Sequence, residues 1–252
     1  GVGLNTAALA IGGQVQVPTT VQQNKTEQWD GTSWTDVGTL NTARDGMGSC
    51  GTTTLALTYG GGYPYKANTE SYDGTSWAEQ ADLATARGSN PTSIGTQTAA
   101  VCAGGQTAGG KQSITEEWTV PSGAISIAQE GQVWYNSSSK VLKGFKLTFG
   151  TGTWASGGNT PGSWYASGMS GTQTAALLYG GLPGNVTDTS LYNGSAWTSS
   201  PASLNTGRAK FVSAGIGTQT AAQFSGGETT VYLKSTEQFN GTAWSEVADL
   251  NT

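Results

Sequence analysis

Thr218-Gln219-Thr220-Ala221-Ala222 runs through a short apolar stretch to Gly226-Gly227, then to Thr236-Glu237-Gln238-Phe239, and on to Asn240-Gly241-Thr242-Ala243-Trp244. This passage decides the fold because nearly every phrase of it returns elsewhere. Thr-Gln-Thr-Ala-Ala recurs from Thr96 and Thr172, with looser copies from Leu4 and Thr52. Diglycines recur at Gly12-Gly13, Gly60-Gly61, Gly104-Gly105 and Gly180-Gly181. The Thr-Glu-x-aromatic run is repeated at Thr26–Trp29 and Thr69–Tyr72, and the turn with its tryptophan at Asp30–Trp34, Asp73–Trp77 and Asn193–Trp197. A further phrase, Leu40-Asn41-Thr42-Ala43-Arg44, is echoed at Leu83–Arg87 and Leu204–Arg208.

Each phrase has a physical reading. Asp-Gly and Asn-Gly tolerate positive φ and sit naturally in tight hairpins. Thr, Val, Tyr and Trp favour a pleated, half-buried surface on either side. Diglycine ends a strand where the backbone turns sharply or where no side chain fits. One unit therefore reads as a four-stranded antiparallel sheet, and a sheet that cannot bury both faces alone stacks radially on its copies.

The third-strand aromatics fall at Trp29, Tyr72, Trp118, Tyr192 and Phe239, with a long gap after Trp118. Phe149 fills that gap, since its offset of five from Trp154 matches the offset from Phe239 to Trp244. The expectation is an all-β, six-bladed propeller forming one domain over residues 1–252. Its fourth blade is degenerate and spans about 124–154, with Gln132–Asn136 as second strand. Gly1-Val2-Gly3 matches the tail of an inner strand, and Leu250-Asn251-Thr252 matches the link leading into one. The N- and C-terminal segments are therefore expected to share a blade and close the ring. Joined that way, the link is short, which suggests a piece of a longer polypeptide.

Composition excludes several functions. There are 11 basic and 16 acidic residues, giving a net charge of −5, and no basic run tracks a phosphate backbone, so nucleic-acid binding is not expected. With His 0, triads built on imidazole and His-ligated metals are ruled out. No apolar stretch is long enough for a transmembrane helix. Cys50 and Cys102 read as small buried thiols, with a disulfide as the alternative. Glu116 and Glu117 are adjacent on a presumed strand and must face opposite ways, so they are no catalytic pair. No catalytic residue, metal site or cofactor is expected.

Diglycine, spaced aromatic, spaced tryptophan and following arginine together make the chain resemble kelch-repeat β-propellers over nearly its whole length. The Thr-Gln-Thr-Ala-Ala and Asn/Asp-Gly-Thr-x-Trp phrases are similar to those of kelch-like proteins of marine bacteriophages. Glu130–Ser137 is similar to an element recurring in phage tail and fibre proteins. The resemblance implies a virion-surface component associated with a tail or fibre. Its partners would be a host-cell-surface glycan or protein, together with other virion proteins. The alternative is a structural subunit that contacts virion proteins alone.

Candidate ligand-binding residues follow. Arg44, Arg87 and Arg208 are the only arginines and share one repeat position. In kelch domains that position lies near the channel mouth, where a guanidinium can grip a carboxylate. The alternative is that each arginine pairs within its own repeat. Sialidases also place an arginine triad on a six-bladed propeller, but the turn at Ser71–Trp77 is one residue too short for their Asp-box and their arginines are not repeat-equivalent. Trp134 and Trp164 fall outside the periodic tryptophans and are expected at the surface, where a sugar face could stack on them. Tyr63 and Tyr65 lie on a post-diglycine loop that, like Leu182–Asn185, differs between repeats. Variable loops on a constant scaffold are where recognition is usually kept.

Overall fold

In the computed structural model the described residues are 1–16, 19–89, 91–121, 133–136, 141–144, 151–210 and 216–251. Among them there are strands and turns but no helix. Five four-stranded antiparallel sheets follow one another. The first contains Val2–Leu4, Ala7–Gln16, Thr20–Trp29 and Trp34–Asp36, and the second Gly48–Gly51, Ala56–Tyr59, Thr69–Tyr72 and Trp77–Glu79. The third is Thr92–Gly95, Ala99–Ala103, Thr115–Thr119 and Thr153–Ser156. The fourth is Gly168–Thr172, Ala175–Tyr179, Thr189–Tyr192 and Trp197–Ser199; the fifth is Ile216–Gly217, Ala222–Ser225, Thr236–Phe239 and Trp244–Val247. The first strands of successive sheets are neighbours, from the first sheet through to the fifth. The chain is a β-propeller, with five blades among the described residues.

Register gives each blade two distinct faces. In the second blade Ala56 is opposite Tyr72 and Thr58 opposite Glu70, while Leu57 is opposite Ser71 and Tyr59 opposite Thr69. Alternation puts the first set on the rear face, toward the preceding blade, and the second set on the front face. The core lies between blades. Leu9, Ile11 and Leu40 from blade 1 and its link pack with Ala56, Tyr72 and Trp77 of blade 2. Leu57, Tyr59 and Leu83 pack likewise with Ala100, Cys102 and Trp118, and Leu177, Tyr179 and Leu204 with Ala222, Phe224, Phe239 and Trp244. The fourth-strand tryptophans of blades 2 to 5 also reach back one blade. Nε1 of Trp77, Trp154, Trp197 and Trp244 donates to the hydroxyl of Thr26, Thr69, Thr115 and Thr189, at 2.9, 3.0, 2.9 and 2.9 Å.

The diglycines serve this stacking. Gly61 N donates to the Arg87 carbonyl at 2.8 Å, and a Cβ on Gly60 would stand 2.5 Å from that same oxygen. Gly60 also has φ 66°, so the link can lie flat on the blade only where no side chain intervenes.

Two expectations are corrected. Among the described residues there are five four-stranded blades, and Trp154 is not the outer tryptophan of a separate degenerate blade at about 124–154. Trp154 pairs directly opposite Trp118, so it is the outer tryptophan of blade 3, and the intervening chain is an insertion between that blade's third and fourth strands. Within the insertion, Val133–Asn136 pairs with Val141–Gly144 as a separate two-stranded ribbon, while Phe149 lies outside the described residues. The terminal segments do not share a blade either, since the first and last sheets are each built from contiguous chain. Cys50 and Cys102 are free, buried thiols, and burial pushes the Cys50 thiol up to about 12.

Candidate functional site

The three arginines are fully buried and turned inward. Arg44 Nη2 meets Glu70 Oε1 at 2.9 Å, Arg87 Nη1 meets Glu116 Oε1 at 2.8 Å, and Arg208 Nη2 meets Glu237 Oε1 at 2.7 Å. Further guanidinium donors go to main-chain carbonyls, Arg44 to Asn68 and Gly60, Arg87 to Cys102, and Arg208 to Gly226, Ser235 and Thr206, while Arg87 Nε donates to Cys102 Sγ and Arg208 Nη1 to the Ser235 hydroxyl. The link wraps the other carboxylate oxygen. Glu70 Oε2 accepts from the Asn41 main-chain N at 2.7 Å and its side-chain amide at 2.9 Å; Glu237 accepts the same pair from Asn205, both at 2.9 Å. This corrects the expectation of an anion-binding ring at the channel mouth: each guanidinium is a clasp between a link and the next blade, with no surface left for a ligand.

Trp164 is also corrected. It is 9% exposed and packs with Val101, Ala103, Met169, Leu178 and Tyr192 in the joint between blades 3 and 4. Its carbonyl accepts from Gly105 N, as the Arg87 carbonyl does from Gly61 N, so Trp164 occupies the arginine position of its link. The spacing already held this signal, because Trp154 to Trp164 is the same ten residues as Trp34 to Arg44 and Trp77 to Arg87. Trp134 lies opposite Lys143 in the ribbon of the insertion, and its side chain is outside the described residues. Glu116 and Glu117 face opposite ways, as alternation requires: Glu116 is clasped by Arg87, whereas Glu117 accepts a hydrogen bond from the Tyr192 hydroxyl of blade 4. Burial, and then that carboxylate, push the Tyr192 hydroxyl above its usual range.

Tyr63 and Tyr65 do come together at a site. The chain leaves Gly60-Gly61-Gly62 into a loop closed by a Lys66 N to Gly61 O bond at 2.9 Å. The two rings meet edge to face with centroids 5.8 Å apart, and Tyr63 is 83% exposed. They form one wall of a cleft of about 450 Å³ between blades 2 and 3. Thr107, Ala108 and Gly109 of a small hairpin contribute further lining, with Thr85 and Ala86 of the link and Gln112 completing it. That hairpin pairs Gln106–Thr107 with Gly110–Lys111 and is pinned by Gln112 Nε2, which donates to Thr107 Oγ1 and the Gly110 carbonyl, each at 3.0 Å. The sequence singled out the tyrosine loop but missed the hairpin, whose residues carry no chemistry by themselves.

The cleft is therefore aromatic on one side and lined elsewhere by hydroxyl, amide and small groups, with no charged residue among the described ones that line it. Such a surface stacks on apolar ring faces and exchanges hydrogen bonds with neutral polar groups. Among the described residues no group of three or more His, Cys, Asp or Glu is placed to hold a metal ion.

No protein-family model and no curated protein matches the sequence. Among solved structures, that titled "Structure of YjhT" is similar with a TM-score of 0.72 at 12% identity, over 98% of this chain and 82% of that one. At that identity the likeness extends to the propeller fold alone.

Proposed function

We propose that this chain is a non-enzymatic binding module, a kelch-type propeller on the surface of a phage particle. In this reading it recognises a neutral glycan or uncharged protein segment on the host cell through the Tyr63–Tyr65 cleft. The observation that carries the reading is the cleft itself: an exposed and a half-buried tyrosine ring facing uncharged polar groups, on loops that differ between blades. The non-enzymatic reading draws support from the carboxylates. Glu70, Glu116 and Glu237 are each held by an arginine and by link donors, so none of them is poised for acid–base work.

The test is a glycan array, with binding to intact marine bacterial cells in parallel, comparing the chain with a Tyr63→Ala/Tyr65→Ala double variant. Loss of stacking and hydroxyl contacts should weaken binding at least about tenfold while leaving the thermal midpoint in place, since both rings lie at the surface. Binding that survives in the double variant would remove the cleft from the proposal. No saturable binding to either target would remove host recognition.

A further inference from the structure

The four joints between successive blades share one design. A rear face with a third-strand aromatic, a fourth-strand tryptophan and, in three joints, a glutamate packs on a front face with apolar second-strand residues, a threonine and the link. The rear faces of blades 2 to 5 are covered: Tyr72, Trp118, Tyr192 and Phe239 are buried, as are Glu70, Glu116 and Glu237. Blade 1 carries the same rear face. Ala8 lies opposite Trp29, Ala10 opposite Glu27, and Trp29 opposite Trp34. Here, however, Ala10 and Glu27 are exposed, Trp34 is 49% exposed, and Trp29 is only half-buried.

The other joints say what fits such a face. Trp34 Nε1 corresponds to the indole nitrogens that donate to Thr26, Thr69, Thr115 and Thr189. Glu27 corresponds to the carboxylates clasped by Arg44, Arg87 and Arg208. The fifth blade of this chain does not offer the matching front. Where the other four have Leu9 and Ile11, Leu57 and Tyr59, Val101 and Ala103, or Leu177 and Tyr179, it has Gln223 and Ser225. Gln223 is moreover tied to Gln238 at 2.8 Å. A polar front disfavours both its own fifth blade and a second copy as the occupant, because either joint would leave amide and hydroxyl groups without water.

We propose that the rear face of blade 1 docks a partner protein presenting the front face of a blade of this design: two large apolar residues, a threonine hydroxyl for Trp34 Nε1, and an arginine-bearing link for Glu27. This does not depend on the glycan reading. It uses a different surface, and it would serve attachment to another component of the particle.

The probe is a synthetic peptide of residues 48–92, which carries Leu57, Tyr59, Thr69, Leu83 and Arg87. It is added to the full chain while hydrogen exchange is followed over residues 26–36. Docking should slow exchange there about tenfold or more, the effect of restoring one charged hydrogen bond in a covered joint. Glu27→Lys should abolish that protection and leave the unbound chain as stable as before. A second arm guards against a peptide that fails to fold. Residues 48–92 are fused directly ahead of Gly1, which keeps the eight-residue spacing from Arg87 to Gly95 found within the chain. If residues 26–36 exchange in the folded fusion as they do in the parent, the proposal fails. Self-association of the parent that protects residues 26–36 as concentration rises would also overturn it, in favour of a second copy.

Discussion

The joints into blades 2 and 4 fill the same slot with opposite chemistry. Into blade 2 the link is Leu40-Asn41-Thr42-Ala43-Arg44, and its donors surround Glu70. Into blade 4 it is Thr160-Pro161-Gly162-Ser163-Trp164, and the residue facing it at the glutamate position is Ser190. The alignment is fixed by main-chain bonds, since Leu40 N donates to the Asn24 carbonyl and Thr160 N to the Ser113 carbonyl, each two residues before the repeat threonine. Three changes therefore go together. The glutamate becomes serine, the arginine becomes tryptophan, and the asparagine that gives two donors to the carboxylate becomes a proline, which has no N–H to give. The physical reason is the cost of a buried charge left alone: an ion pair in a dry joint is held only while both partners and their hydrogen bonds are present. An exchange of the whole set is tolerated where a single exchange is not.

The largest expected effect breaks the charged set in one place. Glu237→Ala leaves the Arg208 guanidinium buried with Asn205 unpartnered, and should cost about 3–5 kcal/mol in urea unfolding at pH 7. A smaller effect follows if the whole set is exchanged instead. Leu204-Asn205-Thr206-Gly207-Arg208 is replaced by Thr-Pro-Gly-Ser-Trp, with Glu237→Ser and with Phe224→Leu to match Leu178 of blade 4. This variant should lose about 2 kcal/mol or less, since a well-packed neutral replacement of a buried pair is often nearly neutral. If it unfolds as readily as Glu237→Ala, the two joints are not interchangeable solutions and the coupling read from them is wrong.

The same comparison shows how far sequence alone reaches. The repeat phrases are local and turn-rich, so sheet, hairpins and propeller were legible from them: Asp30-Gly31 and Asn240-Gly241 mark turns whatever surrounds them. Blade number was not, because it depends on which strands pair. Trp118 and its partner Trp154 are separated by an insertion, and the offset of five from Phe149 to Trp154 gave a spacing signal that competed with that pairing. The site was half legible. An unusual loop such as Tyr63–Tyr65 is visible as a departure from the repeat, whereas the direction of an arginine is not: position said that Arg44, Arg87 and Arg208 were equivalent, and only the fold shows them aimed at glutamates in the following blade. Trp164 was misread as irregular because identity hid its position. It is the repeat's arginine slot with a different side chain, and the change makes sense only beside Ser190 and Pro161.

The smallest effect sharpens the comparison where solvent removes the penalty. The hairpin turn of blade 1 uses Asp30, whose Oδ1 accepts from the main-chain N of Thr32 and of Ser33 at 2.8 Å each, and from the Thr32 hydroxyl at 2.8 Å. Blade 4 uses Asn193, whose Oδ1 accepts the equivalent bonds from Ser195 and Ala196 at 2.9–3.0 Å. Here charge and amide are exchanged with only small changes beside them, Thr32 and Ser33 of blade 1 becoming Ser195 and Ala196 in blade 4. The bond lost with Ser33, from its hydroxyl to Asp30 Oδ2 at 3.2 Å, is one that water can replace in an exposed turn. The bonds from Ser33 N, and then from the Thr32 hydroxyl and N, hold the Asp30 carboxyl down to about 2 from an ordinary 3.8. A depressed folded value means that the turn's stabilisation is fully present above the ordinary value and is lost as pH falls toward 2. Asp30→Asn should therefore leave the urea midpoint at pH 7 where it is and shift acid unfolding to slightly lower pH. A loss at pH 7 as large as that of Glu237→Ala would show that burial is not what separates the exchange tolerated singly from the one that must be made as a set.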